Sequence, residues 1–181
     1  MFSNYDEIKE LKSFFQEAKL YIPIVHCEKA ILSYSHLYES AQKYGLDLLV
    51  ENVVCNVENP MKHLCELREK YSNVHFVFDT KMAAFHEQLN LLYETEYEWL
   101  WKDRHICHYH VNDYAGGYMD WENLRSLPIG KGKLDFTRFF EFIKKIGYDD
   151  TFTVEATAHN GKGIVDVEMA NSYLSARGDF R

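Results

Sequence analysis

The chain has 181 residues, of which 46% are hydrophobic and 27% charged, a composition typical of a globular protein long enough to bury a sizeable core. Acidic residues outnumber basic ones, 28 to 20, and no cluster of lysine and arginine stands out, which argues against a nucleic-acid partner. The first residues form neither a basic nor an apolar segment, and no apolar run reaches the length of a membrane span. We therefore expect a cytoplasmic protein with no targeting segment and no membrane partner.

The cysteine pattern indicates a reducing environment. None of the four cysteines forms a Cys-x-x-Cys pair, and three of them lie in or beside apolar strand or helix patterns. They are Cys27, Cys55, Cys65 and Cys107. We expect reduced thiols. The length predicts a single domain over residues 1–181.

Hydrophobic periodicity and capping residues predict the elements of the first part of the chain. Helices are predicted over about 3–19 and 35–44, and Gly45 ends the second of them. Short strands are predicted over 21–26 and 46–51. The second strand is apolar on both faces, as expected of a parallel strand that is buried on two sides.

The middle of the chain continues the alternation of strands and helices. Asn59 supplies a cap, and Pro60 a first-turn proline, for the next helix. A strand over 75–79 follows. The stretch 82–103, rich in tyrosine, tryptophan and glutamate, predicts two short helices.

The last part of the chain contains a strand that begins near His105 and a long loop over 114–133. Asp135 then caps a strongly amphipathic helix, which Gly147 ends. The remaining predicted elements are a strand over 151–155 and a helix over about 165–176.

Strict alternation of strands and helices predicts a parallel sheet with right-handed crossovers. The polar residues at the strand ends are 25, 28, 31 and 45 positions apart. They are His26, Glu51, Asp79, His110 and Glu155. This spacing favours an α/β fold of the (β/α)8 TIM-barrel type. Only five strands are visible, whereas a full barrel needs eight and about 250 residues, so we expect a partial barrel whose N-terminal βα units are missing.

The strand ends carry residues that can bind a metal ion. Glu51, Asp79, His110 and Glu155 offer three carboxylates and one imidazole. A single carboxylate at a strand end is usually solvated, but several buried together are costly without a cation. This oxygen-rich set suits Mn²⁺, with Mg²⁺, Co²⁺ or Zn²⁺ as alternatives. The two glutamates, facing each other across such a cation, could move protons on the two faces of a bound sugar.

Alternation along the strand that ends at Asn112 places that residue on the same face as His108 and His110. His108 could therefore line a substrate pocket, or it could be a packed histidine of the barrel. Lys131 and Arg125, in the long loop, could contact a substrate phosphate, or they could be solvated cations.

Five segments carry a resemblance to a known family: LLVEN, FVFDT, HYHVND, LPIGKGKLDF and IGYDDTFTVEA. They resemble the second half of the xylose-isomerase-like TIM-barrel superfamily. That superfamily includes sugar and sugar-phosphate isomerases and epimerases, and metal-dependent AP endonucleases. The resemblance covers about residues 21–156.

The resemblance implies roles for particular residues. It makes Glu51, Asp79, His110 and Glu155 the metal ligands, and the two glutamates the acid/base pair of the epimerase branch. His26 matches a histidine that lines the pocket in some members.

The chain departs from the family pattern in two places. The family pattern after the aspartate of the third strand is usually Asp-x-x-His, and here Met82 stands at the histidine position. The loop 121–127 offers Glu122 but no histidine, so the further ligands of the endonuclease branch are missing.

These observations predict a metal-dependent sugar or sugar-phosphate isomerase or epimerase that transfers protons next to a metal-bound carbonyl. A second hypothesis is a truncated barrel with little catalysis that acts as a binding or oligomerisation module. A third is an AP-endonuclease-like phosphodiesterase, which the acidic charge and the missing ligands argue against. Because an open sheet exposes edges and an apolar face, we expect a homo-oligomer, a dimer that covers the open side, or a fragment of a longer gene product.

Overall fold

The computed structural model describes Lys43, residues 47–52 and residues 59–155, all within one compact unit of the chain. These residues form four strands: β1 (Leu49–Glu51), β2 (His75–Asp79), β3 (Ile106–Val111) and β4 (Thr151–Val154). All neighbouring pairs are parallel, in the order β1-β2-β3-β4. The predicted parallel α/β architecture is confirmed for the described residues.

Some predicted elements lie outside the described residues. They are the helices over 3–19 and 165–176, the strand over 21–26 with His26, and all of the helix over 35–44 except Lys43, which is helical.

Four α-helices lie within residues 59–155: α1 (Pro60–Lys70), α2 (Thr80–Phe85), α3 (Trp99–Lys102) and α4 (Phe136–Lys145). Short 3₁₀ turns lie at Leu89–Tyr93, Thr95–Tyr97 and Trp121–Asn123. No helix among the described residues has the length and apolarity needed to cross a bilayer.

The predicted caps of α1 and α4 are confirmed. The side chain of Asn59 accepts a hydrogen bond from the backbone N–H of Lys62, and Pro60 is the first residue of α1. Asp135 caps α4 in the same way. Gly147, at φ +65°, ends that helix in the left-handed conformation that glycine adopts without steric cost.

The two short helices predicted over 82–103 are present as α2 and α3, but they are shorter than predicted. Two 3₁₀ turns fill the stretch between them. Glu87 takes the left-handed conformation at φ 54°, and the N–H of Gln88 bonds back to the carbonyl of Ala83 at 2.7 Å. This is a helix-ending motif that usually contains glycine, and the sequence offers no glycine there.

Aromatic side chains fill the space between the sheet and α4. Tyr109 of β3 stacks on Phe152 of β4 with ring centroids 5.6 Å apart. Phe78 and Phe139 meet the same ring edge-on, at 5.9 and 5.6 Å. Because side chains alternate along a strand, the even-numbered residues of β3 face the opposite side of the sheet. His108, His110 and the adjoining Asn112 are therefore on the face away from α4.

Candidate metal centre

The carboxyl ends of β1, β2 and β3 bring three ligand-type side chains together. Parallel pairing places Asp79 beside His110 at the end of β2 and β3. Ligand atoms of Glu51, Asp79 and His110 all lie within 4.8 Å of one another. His110 Nδ1 is 2.7 Å from Glu51 Oε1 and 4.0 Å from Asp79 Oδ2.

Glu155, the residue after β4, adds a third carboxylate to the same imidazole. Its Oε1 lies 3.2 Å from His110 Nδ1. The Glu155 side chain is 33% exposed, whereas that of Asp79 is 2% exposed. The structure thus brings together all four residues predicted as metal ligands, with Glu155 the most accessible of them. Their binding of a metal stays a prediction.

Burial and charge oppose each other at this cluster. Burial raises the pKa of Asp79 to about 7, against the lowering effects of the Lys81 charge and of the N–H bond from Met82. Burial alone would lower the pKa of His110, but the hydrogen bond to Glu51 and the surrounding carboxylates raise it overall. The cluster therefore favours the binding of positive charge, either as a proton or as a cation.

Two polar residues that were not predicted from the sequence hold the strand ends in place. The amide of Asn52 accepts from the backbone N–H of Asp79 at 2.6 Å and donates to its carbonyl at 3.1 Å. The hydroxyl of Thr80 donates to the carbonyl of Asn112 at 2.7 Å and accepts from its N–H at 2.9 Å. Both side chains are buried. The sequence does hint at both residues, because each is a small side chain that can donate and accept hydrogen bonds and stands directly after a strand-end carboxylate.

Asp79 serves both the cluster and a helix. Its Oδ1 accepts from the backbone N–H of Met82 at 2.8 Å, which caps α2. Its Oδ2 accepts from the side-chain amide of Asn112 at 3.1 Å. Met82 itself is buried, so the position at which the family usually carries histidine is an apolar one here.

Asn112, two residues after His110, also contacts the cluster. It is 0% exposed, and its Nδ2 also donates to Glu155 Oε2 at 3.2 Å. Its Oδ1 is buried without a hydrogen-bond partner among the described residues. A buried acceptor left over beside three carboxylates and an imidazole fits a centre that takes up a cation and polar ligands.

The residues predicted to contact substrate lie in different surroundings. His108 is buried, and its two ring nitrogens lie 2.7 Å and 2.9 Å from the hydroxyls of Thr151 and Thr153. Burial, and then the charge of His110, lower the pKa of His108. Lys131 and Arg125 are exposed in the loop between β3 and α4. His26 lies outside the described residues, and the predicted role of each of the four in substrate binding remains a prediction.

The match to known families covers most of the chain. A family model, the xylose isomerase-like TIM barrel, matches residues 20–174. The chain belongs to this family. The resemblance of the strand-end motifs is confirmed, and the parallel sheet is part of the family's α/β barrel. No curated protein matches the chain.

Two solved structures are similar to this member of the family. The crystal structure of the IolI protein with a binding zinc atom has a TM-score of 0.52 and 19% identity, over 96% of this chain and 72% of that one. The apo crystal structure of the 3-keto-D-glucoside 4-epimerase YcjR from E. coli has a TM-score of 0.46 and 18% identity, over 78% of this chain and 49% of that one. The chain thus spans about half the length of YcjR.

Proposed function

We propose that this chain is a divalent-metal-dependent isomerase or epimerase, or a part of one, acting on a sugar or a sugar phosphate. The proposal rests on the meeting of Glu51, Asp79 and His110 within 4.8 Å, with Glu155 on the same imidazole nitrogen. These residues come from four strands, so their convergence depends on the fold and not on local sequence.

The residues that would hold the cation are Glu51, Asp79, His110 and Glu155. Three carboxylates and one imidazole make a hard, oxygen-rich donor set, which favours Mn²⁺ and also suits Mg²⁺, Co²⁺ or Zn²⁺. Zinc is named for IolI, a protein of the same fold. When bound, the cation would supply Lewis-acid polarisation of a carbonyl and of the hydroxyl beside it.

Glu51 and Glu155 would transfer the protons. They come from the two outer strands of the described sheet and approach His110 Nδ1 separately, at 2.7 and 3.2 Å. Two carboxylates on either side of one site can act on opposite faces of a substrate carbon. Glu155, the more exposed of the two, is the one that an entering sugar would meet first.

Metal content is the first test. Purified chain reconstituted with Mn²⁺ should hold about one ion per chain by elemental analysis. Glu155→Gln should lower this occupancy sharply, because an amide oxygen replaces a carboxylate. Glu122→Gln is the matched control, since it removes the same negative charge from an exposed position on the loop. Absence of metal after reconstitution would contradict the enzyme hypothesis and favour a binding or oligomerisation module.

Proton exchange tests the chemistry. The metal-loaded chain, incubated in D₂O with a panel of ketoses and their phosphates, should incorporate deuterium at the carbon next to the carbonyl, measured by NMR. Glu51→Gln and Glu155→Gln should abolish this exchange, whereas Glu122→Gln should leave it unchanged. Metal binding without exchange on any sugar of the panel would contradict the proposed isomerase activity, but it would still support the proposed metal centre.

A further inference from the structure

Asn112 lies between two of the carboxylates of the candidate metal centre. The amide group carries two hydrogens, and its Nδ2 lies 3.1 Å from Asp79 Oδ2 and 3.2 Å from Glu155 Oε2. One neutral side chain therefore bridges β2 and β4 across the end of β3. Asparagine can do this because its amide donates twice without adding a charge.

The orientation of this amide is fixed by its surroundings. Carboxylates beside Nδ2 accept hydrogen bonds, so the nitrogen and not the oxygen must face them. The backbone of Asn112 is held on both its N–H and its carbonyl by the hydroxyl of Thr80. With a side chain that is 0% exposed, Asn112 has little freedom to turn away.

The two carboxylates depend on this bridge to different degrees. Asp79 Oδ1 is already fixed by the N–H of Met82, so Asn112 sets only its second oxygen. Glu155 has a longer side chain that is 33% exposed, and it is held by Asn112 at Oε2 and by His110 at Oε1. Loss of the amide would therefore release Glu155 more than Asp79.

We propose that Asn112 is a positioning residue of the candidate metal centre, which holds the carboxylates of Asp79 and Glu155 in place by donating one amide hydrogen to each. The inference rests on the proposed function, because it assumes that these carboxylates bind a cation. Groups that orient metal ligands by hydrogen bonds contribute about 10- to 100-fold to metal affinity.

The test is a Co²⁺ titration of the full chain, followed by the visible absorption of the bound ion. Asn112→Ala should weaken Co²⁺ binding by about 10- to 100-fold. The absorption at saturation should move toward that of Glu155→Gln, because both variants disturb the same ligand. Asn123→Ala is the matched control, since Asn123 is exposed and donates to Asp120 away from the centre, and its binding should equal that of the wild type.

A double variant separates positioning from general destabilisation. If Asn112 acts largely through Glu155, the fold-loss caused by Asn112→Ala should be smaller in the Glu155→Gln background than in the wild type. Equal affinity and an unchanged spectrum in Asn112→Ala would overturn the inference alone, as would an equal fold-loss in the two backgrounds. No Co²⁺ binding by the wild type would overturn the proposed function, and this inference with it.

A measurement on the wild type covers the case in which Asn112→Ala does not fold. The assigned side-chain amide signals of Asn112 should shift on addition of Zn²⁺, while those of Asn123 should not. Side-chain amide signals of Asn112 that are unmoved by saturating Zn²⁺ would overturn the inference.

Discussion

The carboxylate of Asp113 accepts a hydrogen bond from the backbone N–H of Gly132 at 2.8 Å, across a loop of 19 positions. The same carboxylate accepts from the N–H groups of Gly130, Leu134 and Tyr114. The Asp113 side chain, just after β3, thus accepts hydrogen bonds from four backbone N–H groups, three of them in the turn over 130–134. Because Asp113 follows Asn112 directly, this turn is anchored next to the candidate metal centre.

Gly132→Ala should destabilise the protein. A Cβ at this position would overlap a carboxylate oxygen of Asp113 and lie 2.5 Å from the carbonyl oxygen of Tyr114. We expect a loss of about 1–3 kcal/mol in the free energy of unfolding, measured by urea denaturation. Gly117→Ala is the control, since a Cβ there has open space, and its unfolding midpoint should stay within error of the wild type. Equal midpoints for the two variants would contradict the role of Gly132.

Asp113→Asn should lower the free energy of unfolding by more than a typical surface substitution does. The new amide nitrogen would face backbone N–H groups that now share a carboxylate, and buried donors would lose their acceptor. We expect a loss of at least about 2 kcal/mol by thermal unfolding. Asp149→Asn, which removes one partner of an exposed ion pair with Arg104, should leave the thermal unfolding midpoint within error of the wild type.

Tyr109→Phe should leave stability unchanged or raise it. The Tyr109 hydroxyl is buried without a hydrogen-bond partner among the described residues, and burial holds its pKa well above the ordinary value. Removal of such a group costs no hydrogen bond. Tyr114→Phe is the contrasting variant, because that hydroxyl donates to the carbonyl of Gly117 at 2.9 Å. Tyr114→Phe should lower the free energy of unfolding by about 1 kcal/mol. A larger loss in Tyr109→Phe would show that its hydroxyl has a partner.

Cys107 should be slow to alkylate at neutral pH. Burial raises the pKa of its thiol to about 11, and the thiolate is the reactive form. Because the folded protein favours the protonated thiol, the stability that it contributes is full below the ordinary thiol pKa and is lost as pH rises toward 11. Iodoacetamide labelling of the tryptic peptide 105–125 should reach half of its maximal rate near pH 11 in the folded protein. In the unfolded chain the half-maximal rate should fall near pH 8.5, the ordinary thiol pKa. The same profile in both states would contradict the shift.

The positions of the candidate ligands could be predicted from the sequence because each lies at the carboxyl end of a short strand or directly after it. Strand ends and helix caps are local signals, and Asn59 and Asp135 occupy the predicted cap positions. The end of α2 could not be predicted, because Glu87 adopts a conformation that patterns assign to glycine.

The distant partners of two residues that follow strand-end carboxylates could not be predicted either. Asn52 bonds to the backbone of Asp79 over 27 positions, and Thr80 bonds to Asn112 over 32. Each depends on which strands become neighbours, and periodicity does not specify that. The predicted oligomer also depends on surfaces that a sequence pattern does not define, and it stays a prediction.

Asp79 belongs at once to the candidate centre and to the first turn of α2, a helix of six residues. Opening of this turn would remove the N–H bond that fixes one oxygen of the carboxylate. A single local event would thus release the start of α2 and one ligand of the candidate centre together, and amide hydrogen exchange at Met82 would report it.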